Sequence, residues 1–129
     1  MVVADDLFKK GEVHRQLLLG CSEIEHPVAL QLGGSDPDIL ARATSEALRH
    51  TSFDEINLNC GCPSPVVTAC AKQFGARLMH NPELVRQCVA AMSRAAAGVP
   101  VTVKCRLGTD ERCGYDNLCR SQDPQPRLP

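Results

Sequence analysis

The 129-residue chain has no tryptophan, one tyrosine and three phenylalanines. Its core must therefore be aliphatic, built from Val, Leu, Ile and Ala. It also lacks an excess of charge: 14 Lys and Arg stand against 15 Asp and Glu, for a net charge of -1. Nothing resembles a basic arm, which argues against strong autonomous binding to a phosphate backbone. No apolar run is long enough to span a bilayer, so no membrane partner is expected. The segment from Met1 to Lys10 carries Asp5 and Asp6 and no long apolar stretch, unlike a secretory signal or a transit peptide. The length suffices for one small domain.

Cysteine, by contrast, is abundant, with eight residues at Cys21, Cys60, Cys62, Cys70, Cys88, Cys105, Cys113 and Cys119. An even count invites a disulfide framework. Helix and strand periodicity without a secretion signal argues instead for reduced thiols. No CxxC pair occurs, Cys60 and Cys62 have no matching pair downstream, and His80 and Cys88 lack ligand spacing, so no metal is expected. Several of these thiols read as small buried hydrophobes.

Three short apolar runs read as strands: Val28 to Leu32, Ile56 to Asn59 and Val101 to Lys104. Each follows a turn containing Pro, Gly or Asp. Two helices lie between them. The first follows Ser35 as N-cap, with Asp36 and Asp38 at the positive end of its dipole and Ile39, Leu40, Ala43, Ala47 and Leu48 on one face. The second has Asn81 as N-cap and Pro82 at its first position. Its stripe is Leu84, Val85, Cys88, Val89, Met92 and Ala96, with Gly98 as terminator. The order strand–helix–strand–helix–strand predicts an α/β fold of right-handed βαβ units on a parallel sheet. Met1 to Ala4 reads as the tail of another strand, and Leu7 to Leu19 as partly helical. The Pro-rich end, 120–129, reads as a disordered tail.

Each apolar run ends on a polar residue: Gln31, Asn59 and Lys104. Parallel α/β folds place ligands at the carboxyl ends of their strands, so these side chains are expected to converge on one site. A lysine at a buried strand end would need an electronegative partner. The segment Asn59-Cys60-Gly61-Cys62-Pro63-Ser64 follows directly. Its glycine permits close ligand approach and its proline stiffens the turn. A long loop-like connection, containing Phe74-Gly75-Ala76, leads to Asn81. A cysteine in such a loop either presents its thiol to a substrate or is a buried structural thiol.

Four blocks carry a resemblance. They are His26-Pro27-Val28-Ala29-Leu30-Gln31-Leu32-Gly33-Gly34, Asp54 through Ser64, Phe74-Gly75-Ala76-Arg77-Leu78-Met79, and Pro100 through Gly108. Together they resemble the tRNA-dihydrouridine synthases, in the branch acting at positions 20 and 20a of the D-loop. The likeness runs from about Met1 to Cys119. It implies a partial TIM barrel covering roughly strands 2 to 5, with residues 1–119 as an incomplete FMN-binding domain. It further implies an intracellular enzyme that reduces the uridine C5–C6 double bond in tRNA, with NADPH refilling the flavin. In that family the cysteine of Gly-Cys-Pro-Ser protonates C5, a role that falls on Cys62. A free thiol, with a pKa of about 8.5, suits a general acid at neutral pH. Gln31, Asn59 and Lys104 match flavin-side positions, and Arg106 is a candidate for contact with substrate. A whole barrel needs about 250 residues, so the resemblance implies a fragment lacking several cofactor contacts. Residues 66–73 and 110–114 depart from the family pattern. Another FMN barrel oxidoreductase, or a non-catalytic interaction module, are the alternative readings.

Overall fold

The computed structural model describes residues 1–9, 11–64 and 74–109. The departures noted at 66–73 and 110–114, the tail at 120–129, and Cys70, Cys113 and Cys119 lie outside them. Four strands form one parallel sheet in the order β1 (Val2–Val3), β2 (Ala29–Gly33), β3 (Glu55–Asn59) and β4 (Val101–Lys104). Between β1 and β2 run the short helix α1 (Asp6–Lys9) and α2 (Glu12–Leu19). Helix α3 (Pro37–His50) joins β2 to β3, and α4 (Pro82–Ala95) precedes β4. The expected tail strand is present as β1, pairing Val2 with Leu32 and Val3 with Gly33.

Spatial order follows chain order without a switch point. An open doubly wound sheet reverses its strand order and takes helices on both faces, whereas a barrel winds in one direction and keeps its helices outside. The fold is therefore the winding of a partial TIM barrel. Leu30, Leu32, Ile56 and Leu58 alternate along β2 and β3 onto the helix side, all buried in one cluster with Leu40, Ala43 and Ala47 of α3 and Val85, Cys88 and Met92 of α4. Each fully buried leucine or isoleucine contributes about 1.5–3 kcal/mol. Val101 and Val103 are only half-buried, because β4 is the outermost strand of the sheet among the described residues.

The helix starts show how the sequence sets these boundaries. Asp36, not Ser35, caps α3: its Oδ1 accepts from Asp38 N (2.9 Å) and Ile39 N (3.1 Å). Pro37 explains the shift by one residue, since it fits the first helical position and holds Asp36 extended (φ -102°, ψ 118°). Asn81 caps α4 as expected, accepting from Leu84 N at 3.1 Å. Helix α4 ends before Gly98: Ala96 is its C-cap, Ala97 already has φ +50°, and Gly98 follows at +96°. Thr44 is a polar residue inside the buried face of α3, satisfied by its hydroxyl donating to Leu40 O at 2.9 Å.

Candidate functional site

Strand alternation also defines the other face of the sheet. Opposite the leucines lie Gln31 on β2, Glu55, Asn57 and Asn59 on β3, and Thr102 and Lys104 on β4. Parallel register lines them up: Gln31 beside Asn57 beside Thr102, and Asn59 beside Lys104. The runs are thus not uniformly apolar. They carry polar residues in mid-strand as well as at their ends, and this inner face is hydrogen-bonded across three strands.

At the carboxyl end, Asn59 is the organising residue. It is buried, at 7% exposure, and its side chain bonds to both Gln31 and the following loop. Its Nδ2 donates to Gln31 Oε1 at 2.8 Å. Its Oδ1 accepts from Gly61 N at 3.2 Å and Cys62 N at 2.9 Å. The loop after β3 is thereby folded back over its own strand end. It is also held from outside: Cys60 N donates to Lys104 O at 2.8 Å, and Ala76 N donates to Cys62 O at 2.9 Å. Cys62 is pinned through both its N–H and its carbonyl, and is itself half-buried.

The second contact closes the base of the long connection. The part after Phe74 is more ordered than a loop, forming a 3₁₀ helix over Gly75–His80 with Gly75, Ala76 and Leu78 buried. Gly75 starts it at φ +69°, a conformation suited to glycine. Phe74 is buried against Gly33, where an added Cβ would come 2.6 Å from the Phe74 ring. Gly61 meets the segment after β4: a Cβ there would lie 3.3 Å from the Cys105 carbonyl carbon and oxygen and 3.4 Å from Arg106 Cγ. Arg106 therefore sits beside the Cys62 loop, with an exposed side chain.

Lys104 departs from expectation in its surroundings. It is exposed rather than buried, being the last residue of the outermost described strand, and its ammonium has no partner among the described residues. Gln31, Asn59 and the Cys62 backbone are joined directly by hydrogen bonds, while Lys104 and Arg106 flank them. Sequence reasoning missed Asn57, Thr102 and Glu55, although the alternation Glu55-Ile56-Asn57-Leu58-Asn59 contained the signal.

Burial separates the two cysteines of the loop. Cys60 is 1% exposed, and desolvation, followed by the neighbouring Cys88 and Cys105 thiols, pushes its pKa up to about 12. Cys88 is likewise raised to about 12, by burial first and Asp36 second. Both are structural thiols. Among the described residues, Cys21, Cys60, Cys62 and Cys88 stand outside any disulfide. At the opposite end of the strands, Asp54 accepts from Val28 N at 2.7 Å and lies 2.6 Å from His26 Nδ1, tying the entrances of β2 and β3 together.

A polar strand-end site on a singly wound parallel sheet agrees with what comparison finds. The dihydrouridine synthase (Dus) family matches residues 1–121, and the chain belongs to that family. Among curated relatives, the tRNA-dihydrouridine(20/20a) synthase of Xanthomonas axonopodis pv. citri (strain 306) is 55% identical over 109 residues, covering 84% of this chain and 31% of the relative. The protein of the same name from Xanthomonas campestris pv. campestris is 58% identical over 101 residues, covering 78% and 29%. That of Escherichia coli (strain K12) is 54% identical over 101 residues, covering 78% and 28%. The chain thus spans just under a third of the length of these relatives.

Proposed function

We propose that this chain supplies the proton-donating and flavin-facing segment of a tRNA-dihydrouridine synthase, with Cys62 as the acid. The observation that carries the reading is the pinned Cys62 loop: the Asn59 amide holds its N–H and Ala76 its carbonyl, at the carboxyl end of a parallel sheet. The donor set fits FMN. Gln31 retains a second amide N–H beyond its bond to Asn57, and Lys104 carries an exposed cation next to Asn59 in register. When bound, the flavin would supply hydride for uridine C6, with NADPH as its reductant.

In this reading Lys104 places positive charge where the reduced ring carries negative charge. Gln31 and Asn59 fix the ring's polar edge. The Cys62 thiol gives its proton to C5 as the C5–C6 double bond is reduced, and the thiolate left behind regains a proton from water. Arg106, exposed beside the loop, meets the tRNA substrate at its phosphate or base. Cys60 is unsuited to the acid role because it is enclosed in the core.

Grafting tests this reading. Residues 1–109 would replace the matching segment of the Escherichia coli relative, and the purified chimera would be assayed for flavin absorbance and for dihydrouridine in tRNA. Retained flavin with dihydrouridine formation supports the proposal. A folded, flavin-loaded chimera that leaves tRNA uridine unreduced contradicts it.

A further inference from the structure

The hydrogen bonds of the polar face run in one direction. Cys62 N donates to Asn59 Oδ1 (2.9 Å), Asn59 Nδ2 to Gln31 Oε1 (2.8 Å), Gln31 Nε2 to Asn57 Oδ1 (2.7 Å), Asn57 Nδ2 to Thr102 Oγ1 (2.7 Å), and Thr102 Oγ1 to Glu55 Oε1 (2.5 Å). A backbone N–H only donates and an ionised carboxylate only accepts. Amides and a hydroxyl can face either way, so the two ends of this relay decide its direction. The loop end is Cys62. The other is Glu55, the first residue of β3, four positions and about 13 Å of strand from Asn59.

We propose that Glu55 is a positioning residue for Cys62, acting through Thr102, Asn57, Gln31 and Asn59. Its carboxylate obliges the Thr102 hydroxyl to donate outward. That leaves the Thr102 lone pair for Asn57 Nδ2, the Asn57 oxygen for Gln31 Nε2, and the Gln31 oxygen for Asn59 Nδ2. The Asn59 oxygen, held toward the loop by the Gly61 and Cys62 N–H groups, agrees with this order, so the relay is satisfied from both ends. Bonds aligned in this way polarise one another. Without the carboxylate, Thr102 is free to donate to Asn57 instead, turning Asn57 and Gln31 over. Asn59 cannot follow, because two backbone N–H groups hold its oxygen, so the mismatch falls between Asn59 and Gln31 and removes the bond that steadies Asn59 beneath the Cys62 loop. The importance of Cys62 rests on the function proposed above, but the relay itself does not.

The test therefore reads the relay without turnover. In the unmodified chain, NMR should place the Asn59 side-chain NH2 protons against the Gln31 side chain. Finding them against the Cys62 backbone N–H overturns the proposal. Glu55→Gln, which keeps an acceptor, and Glu55→Leu, which does not, are then compared below their melting midpoints by mass-spectrometric iodoacetamide labelling. Glu55→Gln should leave the Cys62 rate and the Asn59 amide signals at their original values. Glu55→Leu should shift the Asn59 and Gln31 signals and change the Cys62 rate by about fivefold, the scale of one hydrogen bond, leaving Cys21 unchanged. If Glu55→Leu does not fold, Thr102→Val breaks the relay at its next member and carries the same expectation. Unchanged Cys62 labelling and Asn59 signals in a folded Glu55→Leu or Thr102→Val protein overturn the proposal. Loss of the acid role of Cys62 would instead overturn the function and leave these readouts intact.

Discussion

The side-chain oxygen of Asn59 accepts the backbone N–H of Cys62 at 2.9 Å, so a strand residue buried in the sheet sets the path of the loop that carries this cysteine. The cysteine is held by the fold rather than by its own loop. Removing that acceptor strands two N–H groups. Asn59→Ala should cost about 1–3 kcal/mol in urea unfolding, the range for a buried unsatisfied donor. Asn59→Asp keeps the acceptor, forfeits the bond to Gln31 and should cost less. Equal losses in the two variants would contradict this role.

The thiols should divide by burial. With pKa values of about 12, Cys60 and Cys88 hold roughly three-thousandfold less thiolate at pH 7 than a free cysteine of pKa about 8.5. Peptide-resolved alkylation of the native chain should label Cys62 while sparing Cys60 and Cys88 until the protein unfolds. Labelling of Cys60 ahead of Cys62 would reverse their assigned roles.

Gly33 has no room for a side chain. A Cβ would stand 2.6 Å from Phe74 Cε2 and 3.0 Å from Met1 Sδ. The methionine is flexible and can yield, whereas Phe74 is buried. Gly33→Ala should destabilise by about 1–3 kcal/mol, the cost of overpacking. Adding Phe74→Leu to that variant should recover part of the loss in thermal unfolding, and absence of recovery would show that the ring is not the obstacle.

The other end of the strands predicts a pH dependence. The Val28 N–H, then the His26 side chain, hold the Asp54 carboxyl below its ordinary pKa. The folded state therefore binds this proton less readily than the unfolded chain does. The resulting stabilisation is fully present above about pH 3.9, the ordinary aspartate value, and is lost as pH falls from there through the folded value. Asp54→Asn should be less stable than the unmodified chain at neutral pH, and the gap should narrow below about pH 3.9 in acid-denaturation curves. A gap that widens toward low pH would contradict the assignment.

Much of the architecture was legible because periodicity reports which face is buried. The βαβαβ order, the α4 cap at Asn81 and the β4 limits follow from the residues directly. The strand β2 is offset by one residue, at Ala29–Gly33 rather than Val28 to Leu32. The cap of α3 falls on Asp36 rather than Ser35 because Pro37 holds the residue before it extended. The site was half visible. Asn59 stands at a strand end as expected, whereas Gln31 lies in the middle of β2 and Cys62 three residues beyond β3; the three nevertheless meet through hydrogen bonds. Asn57 and Thr102 were hidden inside runs read as apolar, and their partners come from strands up to 47 positions apart, which only register reveals. The exposure of Lys104 depends on β4 being the outermost of the described strands, a property of the assembled sheet.

The most direct measurement of the central claim is dihydrouridine formation by the grafted enzyme carrying Cys62→Ala. The account predicts loss of product in tRNA, with flavin absorbance and the melting midpoint retained, because the thiol gives a proton and is not needed to hold the ring or the fold. Dihydrouridine formed at the unsubstituted rate would remove Cys62 from the acid role.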